Sequence, residues 1–598
     1  MVATNLVWSS AGAEHSPLMV TLPDSNIQVP IYVPEVQLDD QLHYSLQHNP
    51  PWHEAVTMAF QHVIVMLGMT VMISTKLVHL MGGNDAMMSA STTFIIPVIS
   101  IIKDMSKYRF TSEHERFVYT MRSIQGALII SSMFNILIGY SKAWGYFTRF
   151  LSPVSIIPII CLGGLSKFRS GFPQLGECIE IGLPMLILLV ISQQYMKFIG
   201  GTKNATFEKF GVLFSVAIVW AFAALLTVSG AYNHVSEQTK FSCRVDRSNI
   251  MSASRWIRIP YPFQWGAPIF KASPIFGMIG AALVSTSEST GTYYAASRFS
   301  GATPPPTNVL TRSVGLQGLG MLFDGLFGAV VGTDVSVENV GLLGITRVGS
   351  RRVVQISTIF MIFFSIFGKF GAFFASIPFP IFAAIHCVLF GHISAAGISY
   401  IQFTNNNSQR NLYTIGLSLF LGISIPQYFN DATNNRGRVN TAGLWFNNIF
   451  NTIFSSGPTV VTAFGTVLDN TLDTKGTAAA YDRGMLWWSK FQNSDPTGVY
   501  RFPPPLSRHP RPCTQPPPPS PSPPPCPPSP PSCPPSPPPK QPPDIIKDIE
   551  RSPLRQNYCP HINSSSPCGE YCRHVHISAY PYVEDCPHVF PRVPCIQM

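Results

Sequence analysis

From about residue 55 to about residue 490 the chain alternates apolar runs with short polar loops, and most runs approach the roughly 20 residues that carry a helix across a bilayer. These runs lie at about residues 55–75, 124–140, 150–165, 176–195, 211–230, 274–297, 353–370, 378–397, 411–427 and 445–467. Two further segments, around Asp324 and around Glu338, keep the apolar background but carry one carboxylate each. The pattern predicts an all-α polytopic membrane domain over residues 51–492. Ahead of it, residues 1–50 are polar and Pro-bearing and read as a disordered tail. Behind it, residues 493–543 read as a Pro-rich linker in polyproline II conformation, and residues 544–598 as a Cys- and His-containing tail without a packed core.

The chemistry sits where the apolar pattern fails. Gln61 and His62 stand near the start of the first run and need partners, which a helix contact supplies as readily as a ligand. The run Ser89-Ala90-Ser91-Thr92-Thr93 ahead of Phe94 is too polar for lipid contact. Ser285 to Thr292 packs six hydroxyls, Glu288 and Gly291 into eight residues, a poor lipid-facing surface. Hydroxyls of this kind can hold a carboxylate in place. Such a carboxylate accepts N–H donors when ionised and carries a proton when protonated. Asp324 is a lone carboxylate that a neighbouring Ser or Thr can satisfy. From Thr333 to Arg352 the chain reads TDVSVENVGLLGITRVGSRR, with Glu338 and Asn339 set among glycines and followed by Arg347, Arg351 and Arg352. An ionisable group in a lipid-buried segment is costly and marks a substrate or ion path. Gly341 and Gly344 permit close backbone approach, and the arginines suit the cytoplasmic end of a span.

Composition sharpens this picture. Charged residues make up 12% and apolar residues 46%, which excludes an ordinary soluble protein. The formal charge of +10 lies in loops and the C-terminal tail, with no basic patch interleaved with aromatics, so nucleic acid is not an expected partner. Lys197, Lys203 and Lys209 mark a cytoplasmic loop, while Trp256, Tyr261 and Trp265 suit the membrane–water boundary. The first fifty residues lack the features of a cleavable signal, so the first span is expected to act as its own insertion signal. Of twelve cysteines, Cys161, Cys178, Cys243 and Cys387 are spread through the membrane part and are expected to be unpaired small hydrophobes. The tail residues Cys559, His561, Cys568, Cys572, His574, His576, Cys586 and His588 match no standard zinc spacing, so no metal or other cofactor is expected. No nucleophile–base pair or phosphate loop stands out, so no enzyme is expected.

The stretch Glu338-Asn339-Val340-Gly341-Leu342-Leu343-Gly344-Ile345-Thr346-Arg347 resembles the E-N-x-G-x-x-x-x-T-R signature of the nucleobase–ascorbate transporters, in a plant-like form continued by VGSRRVVQIS. The resemblance runs from the first span to about Phe491. It implies an inverted-repeat transporter of 14 spans, with short extended segments at the substrate site and a homodimeric assembly. About 13 spans are readable here. Met81-Gly82-Gly83-Asn84-Asp85 resembles the end of the family's first span, and Ala86 to Phe94 the entry to its third. The stretch between is too short to cross a membrane, so the second span is missing.

The resemblance also assigns roles. Glu288 matches the principal substrate-binding glutamate, and Glu338 is the second carboxylate on the base edge. Phe94 matches the aromatic that stacks on the base, with Gln61, His62 and Asn339 supporting the site. Asp324 matches an acidic residue that tunes the site or its proton coupling. Asp334 departs from the small residue expected and disfavours anionic substrates. The implied activity is secondary active transport of nucleobases (xanthine, urate or uracil) with H⁺, or Na⁺, as coupling ion, at the plasma membrane. Loss of one span from an alternating series supports a second reading, a transport-impaired member kept as a scaffold. It also predicts an external N-terminus, since no Lys or Arg precedes Lys76.

Overall fold

The computed structural model describes residues 18–21, 28–31, 42–46, 49–81, 91–105, 108–196, 205–246, 256–257, 259–430, 439, 441–472, 476–492 and 500. The expected linker, apart from Tyr500, and the Cys/His tail lie outside the described residues. Within the N-terminal tail, Leu18–Thr21 (β1) and Gln28–Ile31 (β2) pair antiparallel, with Leu18 opposite Ile31.

The membrane domain is built from helices α1 (Trp52–Met81), α2 (Ile95–Met105), α3 (Glu113–Tyr140), α4 (Pro153–Leu165), α5 (Ile179–Val190), α6 (Ala205–Val228), α7 (Ala272–Phe299) and α8 (Thr307–Phe327). It continues with α9 (Val337–Thr346), α10 (Arg351–Ile366), α11 (Gly368–Ala375), α12 (Phe379–Ser399), α13 (Gln409–Asn430), α14 (Leu444–Phe454), α15 (Gly457–Thr471) and α16 (Met485–Gln492). Among the described residues six helices are long and apolar enough to cross a membrane, or seven if the α10–α11 pair is one broken span. That is fewer than the expected 13, because several elements are short or polar.

Two apolar runs are broken. The run at 353–370 bends by 101° between α10 and α11, with Phe367 in extended conformation at the corner. The run at 445–467 is two half-helices, α14 and α15, parted at Ser455–Ser456, whose side chain caps α15 by accepting from Thr459 N–H. A hydropathy pattern cannot show either break, because the interrupting residues are few and each is satisfied locally.

Glycines bring backbones together where the core is tightest. A Cβ on Gly318 of α8 would lie 2.7 Å from the Ile136 nitrogen of α3, and one on Gly397 of α12 would lie 2.6 Å from the Cys161 nitrogen of α4. Without a hydrophobic drive between helices in lipid, such close packing is what joins them.

One expectation is corrected here. Cys178 and Cys243 form a disulfide, with Cα atoms 5.6 Å apart across 65 residues of sequence, while Cys161 and Cys387 are free. Dispersed spacing gave no hint of the pair; the fold brings the start of α5 against the short helix Glu237–Cys243. The surroundings of α1 bear on the expected orientation of the N-terminus. Lys209 Nζ lies 3.0 Å from Glu54 Oε2, Tyr44 bridges to Val348, and the Arg352 guanidinium stands 3.9 Å over the Trp52 ring. The start of α1 thus shares a face with Arg347, Arg351 and Arg352, the face expected to be cytoplasmic.

The lost span does not reverse the chain, because α2 is a half-span. Its 11 residues rise about 16 Å, half the thickness of a bilayer core. Just beyond its end, Tyr108 meets Lys271 at the start of α7, with 4.7 Å from Nζ to the ring. Leu42 lies beside Gly301 at the other end of α7, on the arginine face. Both α1 and α2 therefore run away from the arginines, and later spans keep their directions.

Helix α6 starts on the arginine face and ends near the disulfide, so the disulfide lies at the end of the domain away from the arginines. Closing so long a loop stabilises the fold by about 2–4 kcal/mol in the chain-entropy account. The Cys243→Ser variant is accordingly expected to unfold at a lower temperature in detergent by scanning fluorimetry. An unchanged unfolding temperature would show that the bond contributes nothing.

Candidate functional site

Two half-helices meet at the centre of the domain, each entered through a short non-helical segment. Residues 91–94 lead into α2, and residues 329–336 lead into α9. The two segments are joined by side chains, with no backbone ladder among the described residues. Asp334 Oδ2 accepts from Ser91 Oγ at 2.7 Å and lies 3.3 Å from Thr93 Oγ1, whose proton has a nearer acceptor in Glu288 Oε2 at 3.0 Å. Non-helical backbone at membrane depth is tolerated where it lines a cavity, and here it does.

That cavity has a volume of about 470 Å³ and lies between α1, α10 and the segment into α9. Its polar wall includes His62, Asp324, Thr333, Asp334, Ser336, Glu338 and Asn339, and its apolar wall includes Met66, Val340, Leu343 and Phe364. Ser336 caps α9: its hydroxyl accepts from Asn339 N–H at 3.3 Å and donates to Glu338 Oε2 at 3.0 Å. A carboxylate in the first turn of a helix is favoured by the helix dipole. Asn339 Oδ1 is 3.2 Å from His62 Nδ1, tying α9 to α1. Thr333 Oγ1 donates to Asp324 Oδ2 at the cavity edge.

Other residues singled out from the sequence stand behind this wall. Phe94 is fully buried against Gly332, where a Cβ would lie 2.9 Å from its ring tip. The Gln61 amide donates to the Lys209 carbonyl at 3.3 Å, near the arginine face. Glu288 is buried in the middle of α7. The hydroxyls of its own helix were expected to hold it, but they bond elsewhere: Thr286 to Asn135 at 2.9 Å and Ser287 with Thr462 at 2.6 Å. Its carboxylate is held instead by Thr93, Ser456 and Lys167.

The rest of the signature serves packing and anchoring. A Cβ on Gly341 would lie 2.9 Å from the Leu389 carbonyl, so α9 and α12 need glycine there. Thr346 bonds back to Leu342 O at 2.8 Å, and Arg347, in left-handed conformation at φ 53°, ends α9 and pairs with Glu208 at 3.1 Å. Sequence reasoning missed Lys167, Thr92 and Ser456. Lys167 and Arg169 lie between two apolar runs, yet Arg169 is exposed while Lys167 is buried. Among the described residues the one grouping with metal-ligand character, Cys178, Glu180 and Cys243, has its two thiols joined.

The fold and the central site define an all-helical, multi-pass membrane transporter. Residues 52–430 match the profile described as Permease family. Nucleobase-ascorbate transporter 3 of Arabidopsis thaliana is 54% identical over 493 residues, covering 77% of this chain and 89% of the relative. Nucleobase-ascorbate transporter 2 of the same plant is 49% identical over 482 residues, covering 75% and 92%. The chain belongs to the nucleobase–ascorbate transporter family. The 493 aligned positions exceed the roughly 460 residues of this chain that they cover by about thirty, the length of one span with its loop.

Proposed function

We propose that this protein moves nucleobases across the plasma membrane by proton symport, with purines such as xanthine or urate, or uracil, as substrates, and works as a homodimer. The observation that carries the reading is the polar edge of the cavity, where Glu338, Asn339 and His62 stand together on α9 and α1. A carboxylate accepts from ring N–H groups, and an amide pairs with the N–H/C=O edge that purines and pyrimidines share. Apolar residues opposite suit the faces of a flat ring. Glu288 joins Glu338 in bonding the base edge, Phe94 stacks on its face, and Gln61 supports the site. Asp334 and Glu338 exchange the coupled proton, with Asp324 tuning the site. The printed names of the relatives support nucleobases as the substrate class.

A second reading, a transport-impaired member retained as a scaffold, is favoured by one observation. About thirty positions of the relatives have no counterpart here, the length of one span with its loop. Uptake of radiolabelled xanthine, urate and uracil in cells lacking base carriers separates the two. Saturable uptake that collapses with a proton ionophore is the expected result. No uptake of any base by folded protein at the cell surface would leave the scaffold reading.

A further inference from the structure

Lys167 follows α4 directly, and its side chain is only 9% exposed. Helix α4 packs chiefly on α12 and α15, whereas Glu288 belongs to α7, and Thr92 and Thr93 to the segment into α2. Across that seam the Lys167 ammonium lies 3.0 Å from Glu288 Oε2 and 2.6 Å from Thr92 Oγ1. Thr93 Oγ1 donates to the same carboxylate oxygen at 3.0 Å, and Ser456 Oγ donates to Oε1 at 3.1 Å. Asp334, on the cavity wall, stands 3.3 Å from the Thr93 hydroxyl, so a single hydroxyl separates Glu288 from a cavity-lining side chain.

An ammonium carries three N–H donors, and among the described residues two of them have acceptors. A carboxylate offers about four acceptor positions, and three are used here. One donor and one acceptor position therefore stay open on groups 3.0 Å apart. A buried donor without an acceptor is costly, as is burying a lysine only to neutralise a carboxylate. An open donor beside an open acceptor is the complement of a ring C=O beside a ring N–H.

We propose that Lys167 is a substrate-binding residue that sets specificity: its ammonium donates to a carbonyl oxygen of the base, next to the ring N–H that Glu288 accepts. The preferred substrates are accordingly bases with a C=O adjacent to an N–H, such as uracil, xanthine and urate. Glu288, Asp334 and Glu338 all act electrostatically on this ammonium. Its positive charge keeps three carboxylates from repelling the oxygen-rich edge of such a base. The way in is from the cavity, past the Thr93 side chain. Lys167 has this role only if the protein binds bases, as proposed above, so binding and uptake are measured separately.

Full-length wild type, Lys167→Met and Lys167→Gln are purified in detergent and titrated with uracil, xanthine and their thio analogues, one for each carbonyl flanking the N–H. Binding is read from the shift in unfolding temperature with ligand concentration, and uptake of the radiolabelled bases is measured in cells alongside. One thio analogue of each base replaces the oxygen that faces Lys167. Wild type is expected to bind that analogue about tenfold or more weakly than the parent base, the scale of a hydrogen bond to a charged group. Lys167→Met is expected to bind the parent base about tenfold more weakly and to discriminate by less than about threefold. Lys167→Gln keeps a neutral donor and is expected to fall between the two, since a charge-assisted bond is about twice as strong as a neutral one. The ratio of parent to analogue is a quantity that lost packing alone does not move.

Equal binding of the parent bases and all their thio analogues by wild type would overturn the proposal without any variant. A Lys167→Met protein that discriminates as strongly as wild type would overturn it too, because the lysine would then be structural. Should that variant not fold, the same result with Lys167→Gln has the same force. Binding of a base without uptake would defeat the transport reading alone, with Lys167 still decided by the binding ratio. Binding of no base by folded wild type would defeat both.

Discussion

Uptake by the Glu338→Gln variant is expected to fall by about ten- to a hundredfold while the protein still folds and reaches the membrane. The range follows from the roughly 1.5–3 kcal/mol that a hydrogen bond to a charged group contributes. Glutamine keeps the size of Glu338 and can still accept from Ser336, so the cap of α9 and its packing on α12 survive. What it loses is the negative charge on the cavity wall and the ability to bind and release a proton. The measurement is initial uptake normalised to surface abundance. Uptake within about twofold of wild type would remove Glu338 from base binding and from coupling.

The largest effect on stability is expected at the opposite end of the domain. Asp469, at the end of α15, is completely buried and holds two guanidinium groups: Arg410 at 2.9 Å and Arg483 at 2.7 Å. Arg410 sits in the first turn of α13, an unfavourable place for a cation by the helix dipole alone. It is held there because it also donates to the Leu472 carbonyl at the end of α15, at 2.7 Å. The Asp469→Ala variant leaves two nearly buried cations without their shared partner, at a cost of about 3–5 kcal/mol. Against a total stability of roughly 5–15 kcal/mol, that is enough to remove most folded protein. Size-exclusion profiles and unfolding temperatures in detergent read it directly. An unfolding temperature equal to that of the wild type would contradict the cluster's structural role.

The legible parts of the site were those where a polar residue interrupted an apolar run. Glu338, Asn339, His62 and Asp324 announced themselves in this way, and they line one cavity. Glu288 announced itself as strongly, and its carboxylate is bonded by residues the sequence gave little reason to join to it. Lys167 was passed over because a lysine between two apolar runs looks the same whether its side chain reaches water or turns inward. The Cys178–Cys243 bond was illegible for a related reason, since the cysteines are 65 residues apart and chain spacing carries no information about the contact.

By itself the sequence determined the class of protein, the family signature, the missing span and the arginine-marked face. Each of these follows from local rules: apolar length against bilayer thickness, the cost of charge in lipid, and the bias of positive residues. Only the tertiary structure decided the half-helices, the direction of α1, the disulfide and the partners of Glu288. Those depend on which distant segments meet, because in lipid a buried polar group must find its partner within the protein, and any of several elements can supply it.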